Sequence, residues 1–218
     1  MAQIPTLEQE QRLWRAGKRI VAGLDEAGRG AWAGPIVAAA VVLPPCEEVP
    51  RPLARVRDSK LLSPAEREGL HDAIRASALA VGVGVMPPDL IDKIGIVGAN
   101  RLAMMAAIDD LGLSAEHLLI DFLRLPAVRT PQSPIVDGDA LCVSIAAASV
   151  IAKVTRDRLM VELDGRYPGY AFAQHKGYGT GAHRAALGKL GLCPVHRLSF
   201  APMCGMGAAI REGVDGPC

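Results

Sequence analysis

Four carboxylates stand directly after apolar runs. Asp25 and Glu26 follow IVAGL, Asp121 closes HLLID, and Asp139 lies in Asp137-Gly138-Asp139 after Ile135-Val136. A single acid in such a place is ordinarily a turn former or a helix cap. Four of them at strand ends form a self-repelling cluster that is costly to bury unless neutralised. A hard divalent cation such as magnesium is the natural neutraliser, because it takes oxygen ligands and keeps several waters. Two such ions about 4 Å apart can hold the attacking and leaving oxygens of a phosphodiester in line. Spacing alone leaves Asp137 and Asp139 as alternatives. Adjacent residues of a regular strand face opposite ways, so Asp25 and Glu26 are expected to share a site only if the backbone departs from the strand there.

Gly28-Arg29-Gly30 follows the first pair of acids. It is not a phosphate-binding Walker loop, since the chain has no GxxxxGK[ST]. Its glycines let the main chain approach a ligand. A ribose 2′-hydroxyl both donates and accepts, so bare backbone can read it. An ordinary hairpin turn with a solvated arginine is the alternative.

These side chains need a scaffold. Residues 7–16 read as a short helix, Ile20–Leu24 as a strand ending at the acids, and Ile36–Leu43 as a second strand joined to it as in a hairpin. Ser63-Pro64-Ala65-Glu66 is a helix start with a capping box, and the helix runs to about residue 78. A third strand is predicted over Ala78–Met86, helices from Pro88 to about 110, and strands at His117–Asp121 and Ile135-Val136. An alanine-rich helix is predicted from Ser144 to about Leu163, with loops and short helices from Tyr167 on. Strands alternating with helices predict an α/β fold, a mixed sheet with helices on its faces. Ligand sites of such sheets collect at strand ends.

Composition sets the class. The chain has 218 residues, half of them hydrophobic, enough for one large domain with an appendage. No apolar run reaches the length of a membrane span, and the first residues lack a secretory core, so no membrane association is expected. Five widely spaced cysteines without a CxxC pair suit a reducing cytoplasm. Residues 1–150 hold 15 Lys/Arg against 18 Asp/Glu, net −3, and residues 151–218 hold 9 against 5, net +4. The basic C-terminal part suits an anionic partner or a solvated basic face. Aromatics are 4% of the chain, which favours reading a duplex by backbone and sugar over stacking on bases.

Six segments, in order, resemble the type 2 ribonucleases H, and bacterial ribonuclease HII in particular. They are GLDEAGRGAWAGPIVAAAVVLP, DSKLLSPAER, LLIDFLRLP, GDALCVSIAAASVIAKVTRDRLM, YAFAQHKGYGT and HRLSFAP. The resemblance spans roughly residues 6–203. It implies a ribonuclease H-like fold, a mixed five-stranded sheet flanked by helices, with a small helical C-terminal part. It also implies two-metal hydrolysis of RNA in RNA–DNA hybrids and incision 5′ to a single ribonucleotide embedded in duplex DNA. By this resemblance Asp25, Glu26, Asp121 and Asp139 are the metal-binding acids. Gly28, Arg29 and Gly30 are the turn that reads the junction, and Tyr178 packs on the sugar of the following deoxynucleotide. Lys60 has a counterpart near the substrate. Two departures border the site: Ala31-Trp32 replaces Pro-Leu, and Phe122 stands where glycine is common.

Other residues are assigned more plainly. His175 and Lys176, just before Gly177-Tyr178, are expected near the substrate. Lys153 and Arg156 share a helix face: either they touch the nucleic-acid backbone or they pair with Asp157 and neighbouring acids, the structural reading being preferred. Asp157 is read as a salt-bridge partner, Trp32 as a core anchor, and His183 and His196 as structural or surface residues. The organisation expected is a catalytic domain over 1–165, a part completing the substrate groove over 166–204, and a flexible tail over 205–218. The activity expected is that of a monomeric cytoplasmic endonuclease using Mg2+ or Mn2+ and leaving 3′-hydroxyl and 5′-phosphate ends. Three rivals are a non-catalytic hybrid-binding module, a sugar-indifferent nuclease of the resolvase or transposase type, and a phosphomonoesterase. The four intact acids argue against the first and the Gly-Arg-Gly turn against the second. The third has no need of a basic C-terminal part.

Overall fold

A computed structural model describes residues 4–206. The expected tail over 205–218 therefore lies almost wholly outside the described residues. Seven α-helices and five strands are named below. The strands are β1 (Val21–Ala27), β2 (Ile36–Val42), β3 (Ala80–Met86), β4 (His117–Asp121) and β5 (Gln132–Ile135). They form one mixed sheet in the order β3-β2-β1-β4-β5. The first three pair antiparallel, whereas β1–β4 and β4–β5 pair parallel. The parallel half carries the consequence for function, since it brings the C-terminal ends of β1, β4 and β5 to one edge of the sheet.

The helices are α1 (Glu8–Arg15), α2 (Pro64–Ser77), α3 (Pro88–Asp109), α4 (Gly138–Leu141), α5 (Val143–Arg166), α6 (Phe172–His175) and α7 (Gly181–Leu190). The capping box is present at α2: the Glu66 amide donates to the Ser63 hydroxyl and the Ser63 amide to the Glu66 carboxylate. The predicted helix after Pro87 is α3, which bends at Gly95, where φ is 74°. The sequence placed the fifth strand at Ile135-Val136. It lies instead at Gln132–Ile135, because the parallel register pairs Leu118 with Gln132 and Asp121 with Ile135. Helix α5 runs through Arg166, so the expected boundary at 165 falls in its last turn.

Small residues let helices sit close on both faces of the sheet. On one face α5 brings buried Ala146, Ala147, Ala148 and Ala152 against Val37, Ala39 and Val41 of β2. A Cβ on Gly23 of β1 would overlap the main chain at Ser144 and Ile145. On the other face α3 packs Ala99, Ala103, Met104 and Ala107 against Ala38, Ala40 and Val42. There, a Cβ on Gly82 or Gly84 would overlap carbonyls of α3. The start of α5 is tied to α1, since buried Glu10 accepts from the Ser144 amide at 2.8 Å and from its hydroxyl at 2.6 Å. A carboxylate at a helix N-terminus meets both orphan N–H groups and the helix dipole.

This packing predicts opposite outcomes for two glycine-to-alanine changes. Gly23→Ala forces a methyl into the α5 main chain and is expected to destabilise by about 1–3 kcal/mol or more. Gly69→Ala, in α2 and facing open space, should be neutral or stabilise by about 0.5–1 kcal/mol. Urea titrations of both variants measure the difference, and a neutral Gly23→Ala would contradict the close approach of β1 and α5.

Candidate active site

Asp25 and Glu26 lie inside β1. The strand stays paired with β2 through Ala27, with Asp25 opposite Ala39 and Glu26 opposite Ala38. This corrects the expectation of a strand ending at Leu24. The backbone leaves the strand at Gly28, whose φ is 91°. Parallel pairing of Leu24 with Ile120 sets Asp25 beside Asp121, the last residue of β4. Asp139 is the second residue of α4 and follows Asp137, whose φ of 52° turns the chain sharply after β5.

A cavity of about 560 Å³ opens at this edge. Asp25, Glu26 and Asp121 line it, and so do Gly28, Arg29, Gly30, Lys60 and Tyr178. Asp139 is not in that lining; it stands behind Lys60, whose Nζ lies 3.8 Å from Asp139 Oδ2 and 3.6 Å from Asp58 Oδ1. The remaining walls come from Ala27, Ser59, Arg67, Ser149 and Lys153, of which sequence reasoning weighed only Lys153 as a substrate contact. Ser149, Lys153 and Arg156 form one stripe of α5, spaced four and three apart. That spacing was the signal that could have found them.

Electrostatics set the acids apart from ordinary caps. Burial, followed by the charges of Glu26 and Asp121, pushes the Asp25 carboxyl well above the usual carboxylate range. Burial likewise raises Asp121 and Asp139. Asp25 Oδ1 accepts from the Glu26 amide at 2.7 Å, and Asp121 Oδ1 accepts from the Gly138 amide at 2.8 Å. Glu26 meets Arg29 at 3.9 Å. Among the described residues, no cation stands within salt-bridge distance of Asp25 or Asp121. Four oxygen acids thus share only Arg29 and Lys60 as cations among the described residues, and the remaining shortage of positive charge fits a hard divalent ion. Among the described residues, no three His, Cys, Asp or Glu side chains are already gathered into an ion's cage; the acids are turned to main-chain amides and to Lys60.

The Gly28–Gly30 turn is held from beneath by two arginines without exposed surface, Arg156 and Arg197. Arg197 donates to the Arg29 carbonyl at 3.0 Å and to Gly34 at 3.0 Å. A Cβ at Gly28 would overlap the Arg156 side chain, so both φ and space require glycine there. Gly30 has neither requirement: a Cβ there meets nothing within 4 Å. Trp32 braces the same region, its ring covered by Gly179 and faced by Arg184, which agrees with its reading as an anchor.

Tyr178 stands 37% exposed on a loop that buried histidines support. Its amide donates to the His175 carbonyl at 3.0 Å. Its carbonyl can only accept, so His183 Nδ1 carries the proton that meets it at 3.0 Å. His183 Nε2 must then accept from His196 Nε2 at 3.1 Å, and His196 Nδ1 accepts from the Cys193 amide at 2.9 Å. Burial draws His183 down to about 4 and lowers His196, which keeps this chain neutral. Both histidines are thus structural, as one reading had it, and buried. His175 does not reach the acids: it is 8% exposed, with Nε2 at 2.7 Å from the Tyr170 carbonyl. His175 and Lys176 instead line a neighbouring cleft of about 800 Å³, which shares Arg67, Lys153 and Tyr178 with the acid-lined cavity. Asp157 is the expected salt-bridge partner, 2.7 Å from Lys153 and 3.7 Å from Arg67.

Comparison with known proteins bears on the family and the fold. A family model described as Ribonuclease HII matches residues 22–203. A ribonuclease HII of Dehalococcoides mccartyi is 51% identical over 202 residues, covering 93% of this chain and 95% of that protein. One from Chloroflexus aggregans is 53% identical over 200 residues, covering 91% and 94%. The crystal structure of the ribonuclease H2 from Pyrococcus horikoshii superposes with a TM-score of 0.68 at 25% identity, over 88% of this chain and 99% of that one. The fold is the ribonuclease H-like fold, as the residues implied.

The raised Asp25 carboxyl predicts a pH effect. A carboxyl whose folded pKa exceeds its unfolded value of 3.8 stabilises fully below that value, and the contribution is lost as pH rises through the folded pKa. In chelator, the wild type is expected to lose stability relative to Asp25→Asn between about pH 4 and pH 8, by about 1.4 kcal/mol for each unit of elevation. Thermal melts at both pH values measure this. A wild type that gains on the variant as pH rises would show Asp25 to be neutralised by the protein itself.

Proposed function

The chain belongs to the ribonuclease HII family, endonucleases with ribonuclease H activity on RNA–DNA hybrids, and on that premise we propose that it also incises 5′ to single ribonucleotides embedded in duplex DNA. The observation that carries this reading is one cavity lined by three of the acids, by the Gly28–Gly30 turn and by Tyr178. Carboxylates alone would suit any two-metal phosphodiesterase. Their company with a bare main-chain turn and an exposed tyrosine suits an enzyme that inspects sugars.

Asp25, Glu26, Asp121 and Asp139 would hold two divalent ions, Mg2+ or Mn2+. When bound, these would polarise the scissile phosphate and stabilise charge on the attacking and leaving oxygens. The residues of the chain do the selecting. Main-chain groups of Gly28–Gly30 pair with the ribose 2′-hydroxyl, which a deoxyribose cannot offer. The open space in front of Gly30 supports this role, because nothing inside the protein requires glycine there. Tyr178 packs against the next sugar and favours a deoxyribose. Lys60, whose side chain is 78% exposed, faces the phosphate. Burial draws its ammonium pKa down, but Asp58, Asp139 and Asp25 outweigh that and raise it, so it stays charged. Water attacks the phosphorus 5′ to the ribonucleotide, and the 3′ oxygen of the preceding nucleotide leaves. The products carry 3′-hydroxyl and 5′-phosphate ends.

The enzyme acts as a monomer in the cytoplasm on this reading. Among the described residues no helix is long and apolar enough to cross a membrane, and Cys46, Cys142, Cys193 and Cys204 are free thiols.

A duplex with one embedded ribonucleotide tests the proposal. With Mg2+ or Mn2+ one cut is expected, 5′ to the ribonucleotide, and chelator should abolish it. Asp121→Asn should slow it by about a hundredfold or more, since each ligand supports several kcal/mol of charge stabilisation. An uncut substrate, or equal cutting of an all-DNA duplex, overturns the reading.

A further inference from the structure

We propose that Arg156 is a specificity-positioning residue that fixes the spacing between the two sugar readers, the Gly28–Gly30 turn and Tyr178. The inference rests on the roles given to those two elements in the preceding subsection and goes beyond them.

Arg156 projects from α5 with no exposed surface. Its guanidinium donates three hydrogen bonds, all to carbonyls: Nε to Pro35 at 2.9 Å, Nη2 to Ala33 at 3.1 Å and Nη1 to Lys176 at 2.9 Å. Among the described residues no carboxylate pairs with it, and its neighbour Asp157 is engaged by Lys153 and Arg67. A buried guanidinium without an acid partner is expensive, and here the cost is offset by the three carbonyls it satisfies. What an apolar side chain cannot do is span two loops with directed donors.

The partners show what is spanned. Pro35 and Ala33 end the segment that begins with Gly28-Arg29-Gly30. Lys176 lies two residues before Tyr178. These segments are about 140 residues apart in sequence; they also meet where the Trp32 and Ala33 amides donate to the Gly177 carbonyl at 2.8 and 3.2 Å and where the Trp32 ring packs on Gly179 and His183, but among the described residues only Arg156 bonds to both from beneath. The stem of Arg156 fills the space beneath Gly28, and its Cζ lies 5.3 Å from the Tyr178 ring. One planar fork thus touches the turn from below, lies over the face of the tyrosine ring and bonds to the main chain of both segments. Its fixed fork geometry makes it a spacer that lysine cannot imitate.

A spacer between two readers affects only a substrate that must satisfy both. A single ribonucleotide followed by deoxyribose engages the turn and Tyr178 together. A continuous RNA strand offers 2′-hydroxyls to the turn but no deoxyribose to Tyr178. The acids make no contact with Arg156, so the reaction itself is not its task.

The test compares kcat/KM on a one-ribonucleotide duplex and on a continuous RNA–DNA hybrid, for wild type, Arg156→Lys, Tyr178→Ala and the double variant. Arg156→Gln serves as a second spacer variant, and circular dichroism checks folding. The ratio of junction to hybrid cleavage is expected to fall roughly tenfold or more in Arg156→Lys, as misplacement by a fraction of an ångström allows. Tyr178→Ala should lower the same ratio, and adding Arg156→Lys to it should change the ratio little further. Equal loss on both substrates, an unchanged ratio, additive effects in the double variant, or failure of both Arg156 variants to fold would each overturn the proposal. A wild type indifferent to the sugar pattern would instead overturn the reading of the turn and Tyr178.

Discussion

Mutual repulsion of carboxylates is the constraint on which this structure turns. Asp25, Glu26, Asp121 and Asp139 come from positions more than a hundred residues apart, and each would relax into solvent if its strand were free to move. They are kept together by the parallel pairing of β1, β4 and β5, which sends three chain ends to one edge. That pairing is held in turn by two alanine-rich helix-on-sheet layers, one on each face. The glycines of the strands are part of the same device: without Cβ atoms at 23, 82 and 84, the helices approach to main-chain contact. Dense packing resists the small shifts by which like charges would separate. The alanines of GAWAGPIVAAAVV and SIAAASVIA thus bear on the chemistry although none of them carries a functional group.

Much of this was legible in the sequence, and the reason is local. Capping at Ser63 and Glu66, the apolar runs at 36–43 and 117–121 and the alanine-rich helix all express short-range preferences, and the structure follows them within a few residues. The strand through Asp25 was misjudged because acids disfavour strand interiors, whereas here pairing with β2 on one side and the α5 face on the other overrides that preference. The shift of the fifth strand has a similar origin. Pro134 weakens a strand reading of Gln132–Ile135, yet proline is tolerated at a sheet edge, and β5 is the edge.

What the sequence could not disclose is the set of long-range contacts that hold the turn and Tyr178. Arg156, Arg197 and the three histidines of the C-terminal part are polar, and polarity predicts a surface. Each is buried instead, bonded to main-chain groups or to another ring nitrogen whose position depends on the completed fold. His175 is an example: its ring is buried, with Nε2 against the Tyr170 carbonyl and Nδ1 accepting from the Gly177 amide, and its carbonyl accepts from the Tyr178 amide. Phe122 remains outside this account: it is 60% exposed at φ 58° beside Asp121, and nothing in the fold rewards either property.

The distribution of charge gives the last step. Two buried arginines lie close to the acid-lined cavity, and a protein seeking only stability would pair them with the carboxylates. It does not. Arg156 directs its three hydrogen bonds to carbonyls, and Arg197 directs two to Arg29 and Gly34, its Nη2 being left without a partner. Asp157 pairs with Lys153 and Arg67, which form part of the cavity wall. The cations nearest the acids, Lys60 and Arg29, pair with Asp139 at 3.8 Å and with Glu26 at 3.9 Å, and Asp25 and Asp121 keep their need for positive charge. A site neutralised internally would bind a divalent ion weakly, since each internal salt bridge would have to break first. Holding the arginines on main-chain oxygens keeps the sugar-reading loops rigid and leaves the carboxylates available, so one arrangement of charge serves both recognition and the binding of a catalytic ion.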